Sequence, residues 1–150
     1  MTTEANAGRG RVDRNPSRVL VVDNDQAIGD LIRAVLAGEG FEAALARDTG
    51  QAMAAIRERV PDLILLDVHL ADGESLETHM ANIRGCAGRE VPLVIMSATH
   101  EARRAAALGA CGFVPKPFEL DTLIQQVRLG LASHQRSEMG LLIASDAGAA

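Results

Sequence analysis

The sequence predicts an α/β fold: a five-stranded parallel sheet, doubly wound, with five helices covering its two faces. Three observations predict it. Short aliphatic runs such as Val19-Leu20-Val21-Val22 and Leu63-Ile64-Leu65-Leu66 fit strands buried on both faces. Segments with apolar residues at helical spacing alternate with these runs. Polar residues then gather where the runs end: Asp23, Asp67, Ser97 and Lys116.

In chain order, Met1 to Ser17 is polar, aperiodic and mildly basic, and is expected to be a disordered tail (residues 1–17). Val19 to Val22 is the first strand. Ile28, Leu31, Ile32, Val35 and Leu36 recur at helical spacing, and Gly40 ends that helix. Phe41 to Leu45 is a second strand, placed at an edge by Glu42. Asp48 or Thr49 caps a helix carrying Met53, Ile56 and Val60, which Pro61-Asp62 breaks. Leu63 to Asp67 is the third strand, Ser75 to Ile83 a third helix, and Gly85 to Gly88 a loop. Val91 to Ser97 is the fourth strand, and the alanine-rich stretch His100 to Leu108 the fourth helix. Phe113-Val114-Pro115 is the fifth strand, and the last helix carries Leu120, Leu123, Ile124, Val127 and Leu131.

Five β-α units joined by right-handed crossovers suit the flavodoxin-like strand order 2-1-3-4-5. The folded domain is expected over residues 18–133, with a flexible C-terminal tail over residues 134–150. In this order the first and third strands are neighbours, so Asp23 and Asp67 end side by side, where open parallel sheets bind their ligands.

Composition bounds the function. Of 150 residues, 47% are hydrophobic and 23% charged, which describes a globular domain. Trp and Tyr are absent and only 3 Phe occur, so the core must be aliphatic. A net charge of -5 argues against a nucleic-acid surface. Cys86 and Cys111 form no metal spacing and read as reduced thiols. With no membrane-length apolar run and no secretory segment, a cytoplasmic location is expected, with no membrane partner.

The strand-end residues form a chemical kit. Clustered carboxylates repel, and a divalent cation relieves the repulsion; oxygen ligands favour Mg²⁺ over Zn²⁺. A carboxylate nucleophile, a hydroxyl and an ammonium beside such an ion suit phosphoryl transfer. Neither a P-loop nor Gly-x-Gly-x-x-Gly follows the first strand, which argues against a bound nucleotide.

In these residues the chain resembles a response-regulator receiver domain of two-component signalling. The resemblance runs from Arg18 to Leu131. It rests on Val19-Leu20-Val21-Val22-Asp23, Leu65-Leu66-Asp67-Val68-His69-Leu70, Asp72-Gly73, Met96-Ser97-Ala98 and Lys116-Pro117-Phe118. It implies that Asp67 is the phosphoacceptor, phosphorylated by a histidine kinase or phosphotransfer protein. Mg²⁺ would be held by Asp23, Asn24, Asp67 and the backbone carbonyl of His69. Ser97 and Lys116 would bind the phosphoryl group, Ser97 and Phe113 would form the switch, and the bond before Pro117 would be cis. A downstream protein target is implied, as is a homodimer through the fourth helix, fifth strand and fifth helix.

Three departures from the family pattern stand out. Asn24 replaces the second acidic residue of the pair, so weakened Mg²⁺ binding is expected. Ala71 replaces a common proline, and Phe113 lacks the hydroxyl of the frequent tyrosine. The leading expectation is a single-domain response regulator in a phosphorelay, a phosphoacceptor and not an enzyme. The alternative is a pseudo-receiver, a phosphorylation-independent binding or dimerisation module, to which Asn24 points. Asp23-Asn24-Asp25 is also similar to the Asp-x-Asp of haloacid-dehalogenase-like phosphatases, but Gln26-Ala27 and the missing later acidic pair count against that class.

Overall fold

The computed structural model describes residues 16–69 and 74–149, with the side chains of Thr99 and of residues 135–149 excepted. The strands are β1 (Arg18–Val22), β2 (Glu42–Ala46), β3 (Leu63–Asp67), β4 (Leu93–Ala98) and β5 (Gly112–Lys116). The helices are α1 (Gln26–Gly38), α2 (Thr49–Glu58), α3 (Leu76–Ala87), α4 (Ala102–Ala107, after a 3₁₀ turn Thr99–Glu101) and α5 (Leu120–Ala149). The sheet order is β2-β1-β3-β4-β5 and every pairing is parallel, as expected.

Strand alternation divides the core in two. Val19, Val21, Leu63, Leu65, Val94, Met96 and Val114 face α1 and α5, where Ile32, Leu36, Leu123 and Val127 meet them. Leu20, Val22, Ile64, Leu66, Leu93 and Ile95 face α2, α3 and α4, against Ile56, Met80, Ile83 and Ala105. Burying a Leu or Ile side chain contributes roughly 1.5–3 kcal/mol, so the central strands β1, β3 and β4 carry most of the apolar stabilisation. The core is aliphatic: Phe41, Phe113 and Phe118 are all half-buried at its margin.

Capping fixes where the helices begin. Asp25 Oδ1 accepts from Ile28 N (3.1 Å) at α1, Asp48 Oδ1 from Gln51 N (2.8 Å) at α2, and Ser75 Oγ from Thr78 N (3.2 Å) at α3. At the edge, half-buried β2 presents Glu42 to Arg18 (3.0 Å) and Arg59 (3.1 Å). Pro115 lies in β5, the other edge strand, where a missing ladder donor is tolerated.

The structure corrects several boundaries. α3 runs to Ala87, past Ile83, because Gly85 is tolerated inside it and the stop comes from Gly88, left-handed at φ 72. β4 begins at Leu93, since Pro92 has no N–H to donate; its carbonyl instead accepts from Ile64 N (3.0 Å). Residues 134–149, expected as a tail, continue α5 as helix to Ala149. Fading apolar periodicity does not end a helix where no proline follows and Gln, Glu, Met, Leu and Ala keep propensity high. Leu31, placed on the apolar stripe of α1, is 45% exposed. The expected N-terminal tail lies outside the described residues apart from Pro16 and Ser17. The loop residues Leu70, Ala71, Asp72 and Gly73 lie outside them too. Among the described residues, no helix is long and apolar enough to cross a membrane.

Candidate functional site at the strand ends

Sheet register assembles the site. Val22 pairs with Leu66, so Asp23 and Asp67 follow at one level; Asp67 pairs with Met96, Ser97 with Pro115, and Ala98 with Lys116. Asp23, Asp67 and Lys116 continue the alternation of the α1–α5 face, whereas Ser97 and Phe113 continue that of the α2–α4 face.

The structure brings Asp23, Asp67 and Lys116 together. Lys116 Nζ donates to Asp67 Oδ1 at 2.8 Å, and the backbone N–H of His69 reaches the same oxygen at 3.2 Å. The Asp67 side chain is 3% exposed and that of Lys116 29%, so the pair is shielded but open on the lysine side. Asp23 Oδ1 accepts from the backbone N–H of Asp25 at 2.9 Å. Its other oxygen, Oδ2, is buried with no hydrogen-bond partner among the described residues, as is Ser97 Oγ.

Burial, above all, pushes the Asp23 carboxyl up to about 6 from 3.8. The nearby Asp67 carboxylate pushes the same way, against the Asp25 N–H and the Lys116 charge. Two carboxylates beside one lysine leave the cluster short of positive charge. That shortage, the bare Asp23 Oδ2 and an oxygen-only donor set fit a hard divalent cation such as Mg²⁺. Among the described residues no three His, Cys, Asp or Glu side chains cluster as a metal cage. The fit therefore rests on two carboxylates with amide and carbonyl oxygens.

The remaining expected residues are placed as follows. Asn24 is half-buried directly after Asp23, and the Asp25 side chain caps α1. The His69 side chain is exposed. Phe113 packs at the edge of the α2–α4 core, and its N–H donates to Gln126 Oε1 (3.2 Å). The Lys116–Pro117 bond is cis.

Two features carry no clear sequence signal. Beside Lys116, a groove of about 440 Å³ is lined by Ile28, Leu31, Pro117, Phe118 and Leu120. Leu31 is one of the five apolar residues at helical spacing in α1, and nothing in that spacing marks it as exposed. On the other face, His79 is fully buried and its Nδ1 lies 2.6 Å from Thr49 Oγ1, joining α3 to α2.

Fold and site together define a doubly wound α/β domain with an acidic pair and a lysine at the carboxyl ends of its strands. The family model of the response regulator receiver domain matches residues 19–128. The chain belongs to this family, the phosphoryl-accepting domains of two-component signalling. It is similar to the DNA-binding response regulator MtrA of Mycolicibacterium smegmatis, 33% identical over 138 residues, 90% of this chain and 59% of that protein. It is also similar to the transcriptional regulatory protein DltR of Streptococcus agalactiae, 34% identical over 115 residues, 75% of this chain and 50% of that protein. The chain thus spans half to six-tenths of the length of these relatives. Among solved structures, the receiver domain of NtrX from Brucella abortus is 33% identical with a TM-score of 0.68, covering 76% of this chain and 98% of that one. Chemotaxis protein CheY4 of Vibrio cholerae, at 23% identity and TM-score 0.68 over 77% of this chain and 99% of that one, shares the fold.

Proposed function

We propose that the protein accepts a phosphoryl group on Asp67 and changes partner binding as a result. One observation carries this reading above the others: a buried carboxylate is held by a lysine, beside a second buried carboxylate with a bare oxygen. An Asp67 oxygen attacks phosphorus, the bond from phosphorus to the donor histidine breaks, and a P–O bond forms as the histidine nitrogen leaves. Lys116 passes from the carboxylate to the phosphoryl oxygens and offsets their charge. Ser97 Oγ, buried and uncommitted, donates to the same group. Phe113, on the same face of the sheet as Ser97, passes the change to the surface. Asp23, Asn24, Asp67 and the His69 carbonyl would hold Mg²⁺, which when bound neutralises phosphoryl charge.

Incubation with acetyl phosphate and Mg²⁺ is expected to add one phosphoryl group per chain by intact mass, and none to Asp67→Ala. Incorporation that survives Asp67→Ala would defeat the reading.

Asn24 bears on the pseudo-receiver alternative. An amide oxygen can ligate Mg²⁺ but brings no charge, so Asn24→Asp is expected to tighten Mg²⁺ about tenfold in calorimetric titration. Equal affinities would show that Asn24 has not weakened the metal site.

The groove beside Lys116 supports a protein donor. It is apolar, it adjoins the acceptor, and Leu31 and Leu120 are 45% and 36% exposed along it. Leu31→Asp is therefore expected to slow transfer from a phosphohistidine protein at least ~10-fold more than labelling by acetyl phosphate. Equal effects on both donors would remove the groove from the reading.

For output, the face formed by α4, β5 and α5 is the proposed surface for a target or a second copy. The expectation of no nucleic-acid partner rests on the charge of this chain alone, and relatives named as DNA-binding regulators give it no support.

A further inference from the structure

β5 is an edge strand, and the outward N–H groups of an edge invite any chain that can add a strand. Register shows which groups these are. Ile64 N and Val68 N take the Pro92 and Met96 carbonyls on the β3 side of β4, so Leu93, Ile95 and Ser97 turn their backbone toward β5. Val94 lies opposite Gly112, so Gly112, Val114 and Lys116 answer them, and Phe113 and Pro115 turn outward. Cys111 N also points inward, to Leu93 O (2.9 Å), so the alternation slips by one residue at the entry to the strand, as in a β-bulge. Pro115 has no N–H. The outward edge of β5 therefore offers one donor, that of Phe113.

That donor is taken. Gln126 leaves α5 at the margin of its buried stripe, one position before Val127, and its Oε1 accepts from Phe113 N at 3.2 Å. The amide reaches the edge by passing Gly112, where the missing side chain makes the path: a Cβ there would come 2.6 Å from Gln126 Oε1. A glycine inside a strand weakens it and marks a close approach. Here the approaching group is the Gln126 amide. Gln126 and Phe113 are both half-buried, so the bond is partly shielded from water.

We propose that Gln126 is the positioning residue of the switch: it fixes the backbone of Phe113 to α5, closes the edge of β5, and lets the Phe113 ring turn on a backbone that stays still. The ring packs on the other face of the sheet, at the margin of the α2–α4 core. The anchor and the moving part thus lie on opposite sides of the strand. The role at the switch rests on the phosphoacceptor reading, and the anchor itself does not.

The test is NMR on the ¹⁵N-labelled full chain, first metal-free and without phosphoryl donor. Gln126→Met keeps the side-chain length and removes the acceptor, and is expected to speed hydrogen exchange of the Phe113 amide about fivefold. Gly112→Ala, which displaces the flexible end of Gln126, should do the same. Gln126→Glu keeps an acceptor and should keep the slow exchange, with the Phe113 amide shift now following ionisation of the introduced carboxyl. The Val114 amide, turned toward β4, should keep its wild-type rate in every variant. Wild-type exchange at Phe113 in Gln126→Met overturns the anchor. So does equal acceleration at Phe113 and Val114, which would mean general loosening. Acetyl phosphate and Mg²⁺ are then added. Wild type and Gln126→Met should take up the phosphoryl group alike, while the Phe113 amide signal moves further in the variant. Equal movement overturns the positioning role. No uptake by wild type would count against Asp67 and the role at the switch, and the anchor would still stand or fall on the exchange rates.

Discussion

Replacing Lys116 by methionine is expected to slow phosphoryl incorporation from acetyl phosphate about a hundredfold, the scale on which one preorganised charge-stabilising donor acts. The ammonium already sits 2.8 Å from Asp67 Oδ1, so it has only to shift from the carboxylate to the phosphoryl oxygens when phosphorus arrives. The same change should lower stability. Asp67 is 2% exposed, and without the lysine it lies buried beside Asp23 with no cation among the described residues. Stranding a buried charge costs about 3–5 kcal/mol at full burial; with Lys116 29% exposed, about 2 kcal/mol is expected. Labelling time courses and urea midpoints measure the two effects. Wild-type labelling by the variant would remove Lys116 from the mechanism.

The second large effect runs in the opposite direction. Asp23→Asn is expected to stabilise the metal-free protein near neutral pH while impairing its Mg²⁺ site. Folding raises the Asp23 carboxyl from 3.8 to about 6, chiefly by burial and further by Asp67. A raised carboxyl contributes its stability fully below the unfolded value of 3.8, and that contribution is lost as pH rises through about 6. Above that point, folding must carry an ionised Asp23 against its surroundings. After allowance for solvent at the open side of the site, the cost is about 1–2 kcal/mol. The variant should thus have the higher urea midpoint at neutral pH, and the difference should shrink as pH falls through about 6 and vanish only below 3.8. A difference independent of pH would show that Asp23 is not the source. A residue that weakens the empty fold and serves a charged ligand marks a functional site better than burial alone does.

Much of this was legible in the sequence. β1, β3 and β4 lie inside the sheet, so their residues must be aliphatic on both faces, and four-residue apolar runs betray them. Asp23 and Asp67 were legible for the converse reason, since a carboxylate directly after such a run marks where the chain leaves the core. Their adjacency followed from strand order, and the structure joins Asp67 to Lys116 with Asp23 nearby. The end of α3 was misplaced because a helix tolerates Gly85, and only the left-handed Gly88 stops it. The reach of α5 was hidden because backbone hydrogen bonds continue wherever propensity is adequate, whether or not an apolar stripe continues. The exposure of Leu31, the His79–Thr49 contact and the Arg84 bond to the Leu108 carbonyl depend on how helices lie across the sheet. Residues 24 to 30 positions apart meet there, Arg84 with Leu108 and Thr49 with His79 among them, and no local pattern announces such meetings.

The central claim is that phosphorus becomes bonded to Asp67, and reductive mapping tests it most directly. An acyl phosphate is reduced by borohydride to the alcohol, so a phosphorylated aspartate becomes homoserine. After acetyl phosphate, Mg²⁺ and borohydride, peptide sequencing by mass spectrometry should find homoserine at position 67 and aspartate unchanged at positions 23 and 25. Homoserine at another position, or at none in a sample shown to carry a phosphoryl group, would contradict the account.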